Sequence, residues 1–143
     1  MGITVFYLFS IFTSFVMGSS MESVKDNVLK STIFYYDVEE VEFPYVKKQT
    51  LQFIAKTHLK YAVFNFDKNK MFSYTFVFDK KLISQYSIFI EVKKKFGEAT
   101  LVTPLNYLWD LDEYIIVLNK NILRMTLKSY IENYNTYIEN YNK

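Results

Sequence analysis

The chain has no cysteine among its 143 residues, and it has only one histidine, three glycines and two prolines. Without cysteine there are no disulfide bonds, so the core must hold the fold together unaided. Zinc and redox-metal sites draw mainly on Cys and His, and nucleotide phosphates are cradled by glycine-rich loops. We therefore expect no metal site and no cofactor.

The chain also lacks a strong charge of either sign. Its 17 basic and 15 acidic residues leave a formal net charge of +2, which gives no field for attracting nucleic acid. Half of the residues are apolar and a fifth are aromatic, so the chain must bury a substantial core. We expect one folded domain without a nucleic-acid partner.

The first charged side chain is Glu22, and an apolar run, Ile3–Met17, precedes it. An apolar run followed by the small residues Gly18, Ser19 and Ser20 is typical of a signal peptide, here with cleavage after Gly18 or Ser20. The run lacks the usual Lys or Arg near its start, and a membrane anchor or a buried first element of the domain are the alternatives. We predict a signal peptide or anchor over 1–20, with residues 3–17 as the anchoring stretch, and hence an exported protein that is periplasmic or secreted, or held at the membrane by this stretch.

Two helices and two regions of strands follow. A capping-box spacing at Ser19 and Glu22 predicts a helix over about 20–30. A second helix is predicted from Ile83, with three lysines in its last turn and Gly97 as its cap. Its apolar face is predicted to contain Ile83, Tyr86, Ile90 and Phe96.

Alternating apolar residues predict strands after each helix. Tight turns are expected at Asp67–Lys70, at Asp112–Glu113 and at Asn119–Asn121. The two halves, 21–80 and 82–130, therefore share one order of elements. The predicted fold class is α+β: an antiparallel sheet built from two helix-then-meander units, with the helices on one face. The sequence leaves open whether the two units are a true duplication.

The last residues contain YIENYN twice in succession. Tyr and Ile recur at helical spacing and form one apolar stripe, which predicts a closing helix over 130–142. A coiled coil would need Leu or Ile along its seam instead of Tyr. A final helix that packs on the domain, or frays from it, is the favoured interpretation.

Catalytic groups are scarce. His58 has no nucleophile or orienting acid at a recognisable spacing, so no catalytic residue is predicted. Two groups of carboxylates are better explained as solvated edges than as a catalytic pair or a calcium site. These groups are Asp37, Glu39, Glu40 and Glu42, and Asp110, Asp112 and Glu113.

The aromatic strands offer a different kind of site. Aromatic side chains that share a sheet face can form a contact surface for a partner, although Trp109 is better explained as a core or sheet-face residue. The lysines are scattered at turns, so we set aside an RNA-binding platform. The possible contact face consists of Phe64, Phe66, Phe72, Tyr74, Phe76 and Trp109.

The segment from Tyr86 to Tyr130 resembles a pattern of small exported bacterial proteins, in which a helix ends in a Lys-aromatic-Gly run before a Trp-bearing strand. The element order is similar to that of BamE-like outer-membrane assembly subunits and of tandem-repeat β-lactamase inhibitor proteins. The resemblance implies a helix-then-meander fold and protein binding without catalysis. The lipidated cysteine of the former and the disulfides of the latter are absent, so no binding residue carries over. The matching residues are Lys95, Phe96, Gly97, Ala99, Thr100, Trp109 and Tyr130.

The sequence thus predicts a non-catalytic exported envelope protein, not an enzyme, that binds another envelope protein through a sheet edge or an aromatic face. It would touch a membrane only through an uncleaved N-terminal segment. The alternative is a small-ligand binder or weak hydrolase that uses a groove between sheet and helices, with His58 or the Asp110–Glu113 group. The partner and the oligomeric state stay open.

Overall fold

The structure is a computed structural model that describes residues 12–30, 34–43, 48–55 and 57–131. Each of two helices is followed by four strands, and a short 3-10 turn, Lys128–Tyr130, ends the described chain. The elements are α1 (Met21–Lys30), β1 (Phe34–Phe43), β2 (Lys48–Ala55), β3 (Leu59–Asp67), β4 (Lys70–Phe78), α2 (Gln85–Phe96), β5 (Leu101–Val102), β6 (Asn106–Asp110), β7 (Tyr114–Asn119) and β8 (Ile122–Leu127).

The strands form one antiparallel sheet in the order β1-β2-β3-β4-β8-β7-β6-β5. Each meander pairs in sequence order, and the last strands of the two meanders, β4 and β8, join them. This arrangement confirms the predicted α+β fold with two helix-then-meander units. The predicted closing helix over 130–142 falls almost entirely on 132–143, outside the described residues.

Two of the predicted turns depend on residues with left-handed backbone. Lys68 and Asn69 connect β3 to β4 with φ of 49° and 60°, and Lys120 connects β7 to β8 with φ of 53°. Positive φ at the central positions matches the twist that a two-residue hairpin needs. The Asn69 side chain also accepts a hydrogen bond from Met21 N, at 3.0 Å, so the β3–β4 hairpin holds the start of α1.

Both helices cover the same face of the sheet, which we call the inner face. Val24 and Val28 of α1 and Ile88 and Val92 of α2 are buried in one apolar cluster with the inner-face side chains of the strands. One row of that face crosses six strands through directly paired residues, and all of its side chains are buried. The row runs Leu51, Phe64, Tyr74, Met125, Ile116 and Trp109.

The burial of these side chains corrects the predicted contact face. Five of the six residues of the predicted contact face are fully buried beneath the helices and the N-terminal segment, where no partner can touch them. Their size and apolar character, which suggested a binding surface, instead fill the core. Only Phe72 is partly exposed, and its ring stacks on Tyr130 with centroids 4.5 Å apart. The five buried residues are Phe64, Phe66, Tyr74, Phe76 and Trp109.

The described part of the predicted leader packs into the same core. Phe12 and Phe15 are buried, with ring centroids 5.1 Å from Phe76 and 4.7 Å from Phe64 respectively. Gly18 N donates to Met71 O at 2.8 Å, which ties this segment to the start of β4 in the β3–β4 hairpin. A chain cut after Gly18 or Ser20 would therefore lose two core aromatic rings. Within the described ranges, no helix combines the length and the apolar character needed to cross a bilayer.

We expect Phe15→Ala to lower the free energy of unfolding by about 3–5 kcal/mol, because it leaves a cavity among aromatic rings. Val16→Ala, at the neighbouring exposed position, should change it by less than about 0.5 kcal/mol. Urea unfolding followed by circular dichroism measures both values. Equal values for the two variants would show that this segment is not part of the folded core.

Tyr74 provides a second test of the same packing. Its hydroxyl donates to Phe12 O at 2.8 Å, and burial, with a smaller effect of the nearby Tyr114, raises its pKa above the ordinary value. The folded protein therefore keeps Tyr74 protonated at a pH where the unfolded chain ionises it. Stability from this group is complete below the unfolded pKa of about 10 and falls as the pH rises above it.

We expect Tyr74→Phe to cost about 1–3 kcal/mol at neutral pH, because it leaves the buried Phe12 carbonyl without its donor. Above about pH 10, the wild type should lose stability relative to the variant by up to about 1.4 kcal/mol per pH unit. The difference in unfolding free energy across that pH range, in which the other tyrosines cancel, is the measurement. A pH-independent difference would contradict the raised pKa.

Candidate functional site

Three exposed apolar side chains lie together where β5 forms the edge of the sheet. Tyr86, Val102 and Leu105 are 65%, 61% and 56% exposed. Val102 pairs with Tyr107 between β5 and β6, and the ring of Tyr86 lies near that of Phe89; the half-buried rings of Phe89 and Tyr107 stack with centroids 4.2 Å apart. We call Tyr86, Val102 and Leu105 the β5 patch. Exposed apolar groups that adjoin one another, unlike single ones, are typical of contact surfaces.

β5 has only β6 as a neighbour within the described chain, so its other side is open. Thr103 N donates to Asn106 O at 2.8 Å, across to β6. Successive residues of an antiparallel pair alternate in direction, so the preceding Val102 points its N–H and C=O to the open side. A strand edge with an outward N–H and C=O can pair with an extended segment of another chain.

The start of α2 fixes the patch. The Ser84 side chain accepts a hydrogen bond from Ser87 N at 3.1 Å, so Ser84 caps the helix and α2 begins at Gln85. The Gln85 side chain then donates to Leu105 O at 3.0 Å, which holds the β5–β6 turn against the helix. Tyr86 follows in the first turn, and its ring centroid lies 6.1 Å from that of Phe89.

An aromatic row connects the patch to the end of α2. Phe89 lies between Tyr107 and Trp109 of β6, with ring centroids 4.2 Å and 5.9 Å away. The indole N–H of Trp109 donates to Gly97 O at 3.0 Å. Gly97 N in turn donates to Lys93 O at 2.8 Å and ends the helix, as predicted. Hydrogen bonds at both ends of α2 therefore hold the aromatic residues beside the β5 patch in place.

A second feature, an open cleft of about 590 Å³, lies at the other end of α2. Asp110 pairs with Lys128, and both side chains are about 30% exposed. Asp112 and Glu113 are exposed in the β6–β7 turn, as expected for acidic turn residues. The cleft is lined by Lys95, Phe96, Asp110, Leu111, Asp112, Glu113 and Tyr114.

His58 does not join this cleft. It lies half-buried in the turn before β3, where its carbonyl accepts from Asp79 N at 2.6 Å. The strand register places the turn with His58 beside the end of β4 and Glu113 beside the end of β8. Because β4 and β8 are antiparallel, His58 and Glu113 lie at opposite margins of the sheet. The structure therefore does not bring the histidine and the carboxylates together.

The other carboxylates form no visible site either. Asp37, Glu39, Glu40 and Glu42 belong to β1, whose side chains are outside the described part of the structure. Among the described residues, no three His, Asp or Glu side chains are placed to hold a metal ion.

Sequence reasoning missed the β5 patch and misassigned one of its members. Tyr86 was predicted on the buried stripe of α2 with Ile83, but it is exposed. The buried residues of the helix are Ile88 and Val92, four positions apart, with Phe89 and Phe96 partly buried beside them. Ser84 was the available signal, because a cap at Ser84 shifts the start of the helix past Ile83.

A family model described as the TP0088 domain matches residues 10–140. The chain belongs to the TP0088 domain family. Its matched span begins just before Phe12 and includes both helix-then-meander units. No curated protein and no solved structure matches the chain. Membership of the TP0088 domain family by itself assigns no activity, and the similarity to BamE-like subunits and inhibitor proteins stays an interpretation of the element order.

A substitution at Gly97 tests whether its backbone conformation ends α2 beside the aromatic row. Its φ of 87° with ψ of −162° is a region that side-chain-bearing residues avoid, although a Cβ there would meet no atom within 4 Å. We expect Gly97→Ala to lower the unfolding free energy by about 1–3 kcal/mol through backbone strain alone. Glu98→Ala, at the exposed next residue, is the matched control and should be nearly neutral in the same urea titration. A neutral Gly97→Ala would show that the helix ends in another way.

Proposed function

We propose that the protein is a non-catalytic envelope protein that binds another protein, with the open edge of β5 and the β5 patch as the contact surface. The partner's contribution is an extended segment with apolar side chains. It would pair with the backbone of Val102 and pack on Tyr86 and Leu105. This binding mode is strand addition, in which main-chain hydrogen bonds supply affinity and side-chain pockets supply specificity.

The single observation that carries the proposal is the exposure of the patch around an open strand edge. Tyrosine is enriched at protein contacts because its ring packs while its hydroxyl remains hydrated. The rigid aromatic support reduces the conformational entropy that binding would cost. β5 is only two residues long, which limits unwanted edge-to-edge pairing and leaves selectivity to the side chains.

The envelope location is supported by the uncharged, mainly apolar residues 3–11, which precede the segment that packs in the core. Because Phe12 and Phe15 pack in the core, we place any cleavage site before Phe12, or leave the N-terminal segment uncleaved with Phe12 and Phe15 in the protein and not in a membrane. N-terminal sequencing of the protein from fractionated cells tests this part. A mature chain that begins at Ser19 or Met21 would overturn our placement, and an uncleaved chain in the cytosol would overturn the location.

Binding of a small ligand in the cleft near Asp110 is the second candidate, and a weak hydrolase would use the same place. The volume of the cleft and its mixture of aromatic and acidic residues favour it. Two observations make it the weaker candidate: the pairing of Asp110 with Lys128 and the distant position of His58.

Site-specific photo-crosslinking in the native cell tests the binding surface. A photoreactive residue in place of Val102 or Leu105 should give one discrete adduct with another protein, because both side chains would lie against the partner. Leu29, an exposed apolar residue of α1, is the control position and should give no such adduct. Equal adducts from all three positions, or none, would contradict the proposal.

A backbone variant separates strand addition from side-chain contact. We expect Val102→Pro to abolish the adduct formed from position 105, because proline removes the outward N–H. Val102→Ala keeps that N–H and should weaken the adduct less. Thermal unfolding followed by circular dichroism must show that both variants remain folded. If the two variants lose the adduct to the same extent, side chains make the main contact, and binding by strand addition is wrong.

A further inference from the structure

The face of the sheet opposite the helices, the outer face, has buried apolar residues of its own. Leu108, Ile115 and Val117 form a second apolar cluster and are almost fully buried. Ser73 and Thr75 of β4 are buried on the same face, since register pairs Ser73 through β8 with Ile115, and Thr75 through β8 with Val117. A single-layered sheet with one face in water would leave these side chains exposed.

Little of the described chain is available to cover this face. Both helices and the segment containing Phe12 and Phe15 contribute to the inner-face cluster. Among the described residues, Leu101 and Ile131 are the partly buried apolar residues that pack against the second cluster. Leu101 belongs to the sheet itself, so Ile131, the last described residue, is the contact that comes from outside it.

The last residues of the described chain approach the outer face of the sheet. After β8, Lys128 N donates to Glu113 O at 2.9 Å, and the Tyr130 hydroxyl donates to Asp67 Oδ2 at 3.1 Å. The ring of Tyr130 stacks on Phe72. These contacts fix the 3-10 turn and deliver Ile131 to the apolar cluster. Twelve more residues follow Ile131 in the sequence.

We infer that residues 132–143 bind the outer face of their own chain and cover Leu108, Ile115 and Val117. Their stripe of Tyr134, Tyr137, Ile138 and Tyr141 would face the sheet. The dimensions agree: a twelve-residue helix is about 18 Å long, and the four strands from β5 to β8 span about 14 Å between their outer axes. Tyrosine suits such a cover because the ring is buried while the hydroxyl reaches water.

This placement makes the protein a three-layer structure with the sheet in the middle. It also leaves the edge of β5, and not the outer face, as the accessible part of the second meander. The inference does not depend on the proposed function, since it concerns the opposite side of the sheet. Residues 1–11 are a poorer candidate for the cover, because they lead into Phe12 on the inner face.

The absence of native cysteine allows a clean distance measurement on the full chain. Spin labels on the variant Arg124→Cys, an exposed outer-face position, and on Asn140→Cys should lie close together. The control pair, Leu29→Cys on α1 with Asn140→Cys, should be farther apart, because the sheet separates the two labels. Pulsed electron paramagnetic resonance gives both distances. The reverse order would overturn the inference.

Dilution with unlabelled protein distinguishes the covering segment of the same chain from that of a second copy. A short distance that persists at a large excess of unlabelled chain supports covering in cis. A distance signal that disappears on dilution shows exchange between copies and overturns it.

A second measurement does not depend on labels. We expect Ile138→Ser to raise the binding of a hydrophobic dye several-fold and to lower the melting temperature. The reason is that residues 132–143 would no longer cover the apolar cluster of Leu108, Ile115 and Val117. Asn140→Ser, on the opposite side of the predicted helix, should change neither. Equal behaviour of the two variants would show that the stripe is not against the sheet.

Discussion

Five residue pairs between β4 and β8, from Ser73–Thr126 to Val77–Ile122, hold the two halves of the molecule in one sheet. Without this pairing each unit would be a helix on a four-stranded meander with an open inner edge. Because β4 and β8 are joined, α1 and α2 lie over the same face and share a single apolar cluster. The pairing also forms a continuous row of buried side chains, from Leu51 to Trp109, that neither unit could complete alone. The shared apolar cluster and the continuous row of buried side chains both depend on the pairing of β4 with β8.

The N-terminal segment packs on the first unit of the sheet, and the edge of β5 belongs to the second. Phe12 and Phe15 pack over Phe64, Tyr74 and Phe76, which fills the inner face of the first unit. In the second unit, α2 and the aromatic row do the same task but leave Tyr86, Val102 and Leu105 exposed at the margin. The asymmetry between two similarly ordered units is therefore concentrated in what covers the inner face.

Much of the fold was predictable because it follows from local chemistry. Alternating apolar residues predicted the strands, and the polar turns at Lys68–Asn69 and Lys120–Asn121 predicted the hairpins that the structure confirms. The order of elements predicted the antiparallel α+β sheet. Gly97 and the lysines before it predicted the end of α2. Each of these signals acts within a few residues, where sequence spacing reports geometry directly.

The candidate site was not predictable in the same way. Phe64, Phe76 and Trp109 have the composition of a contact surface, and only tertiary packing decides that helices cover them. The exposure of Tyr86 depends on where Ser84 starts α2 and on which strands lie beneath it. The openness of β5 depends on strand order, which spacing along the chain does not encode. Such properties arise from contacts between residues far apart in sequence.

The position of the sole tryptophan has a practical consequence. Its named contacts, to Phe89, Tyr107 and Gly97 O, all belong to the second unit. Its fluorescence emission therefore reports how α2 packs on β6, while far-ultraviolet circular dichroism reports the helices and strands of both units. The two optical signals together can separate loss of structure in one unit from cooperative unfolding of both.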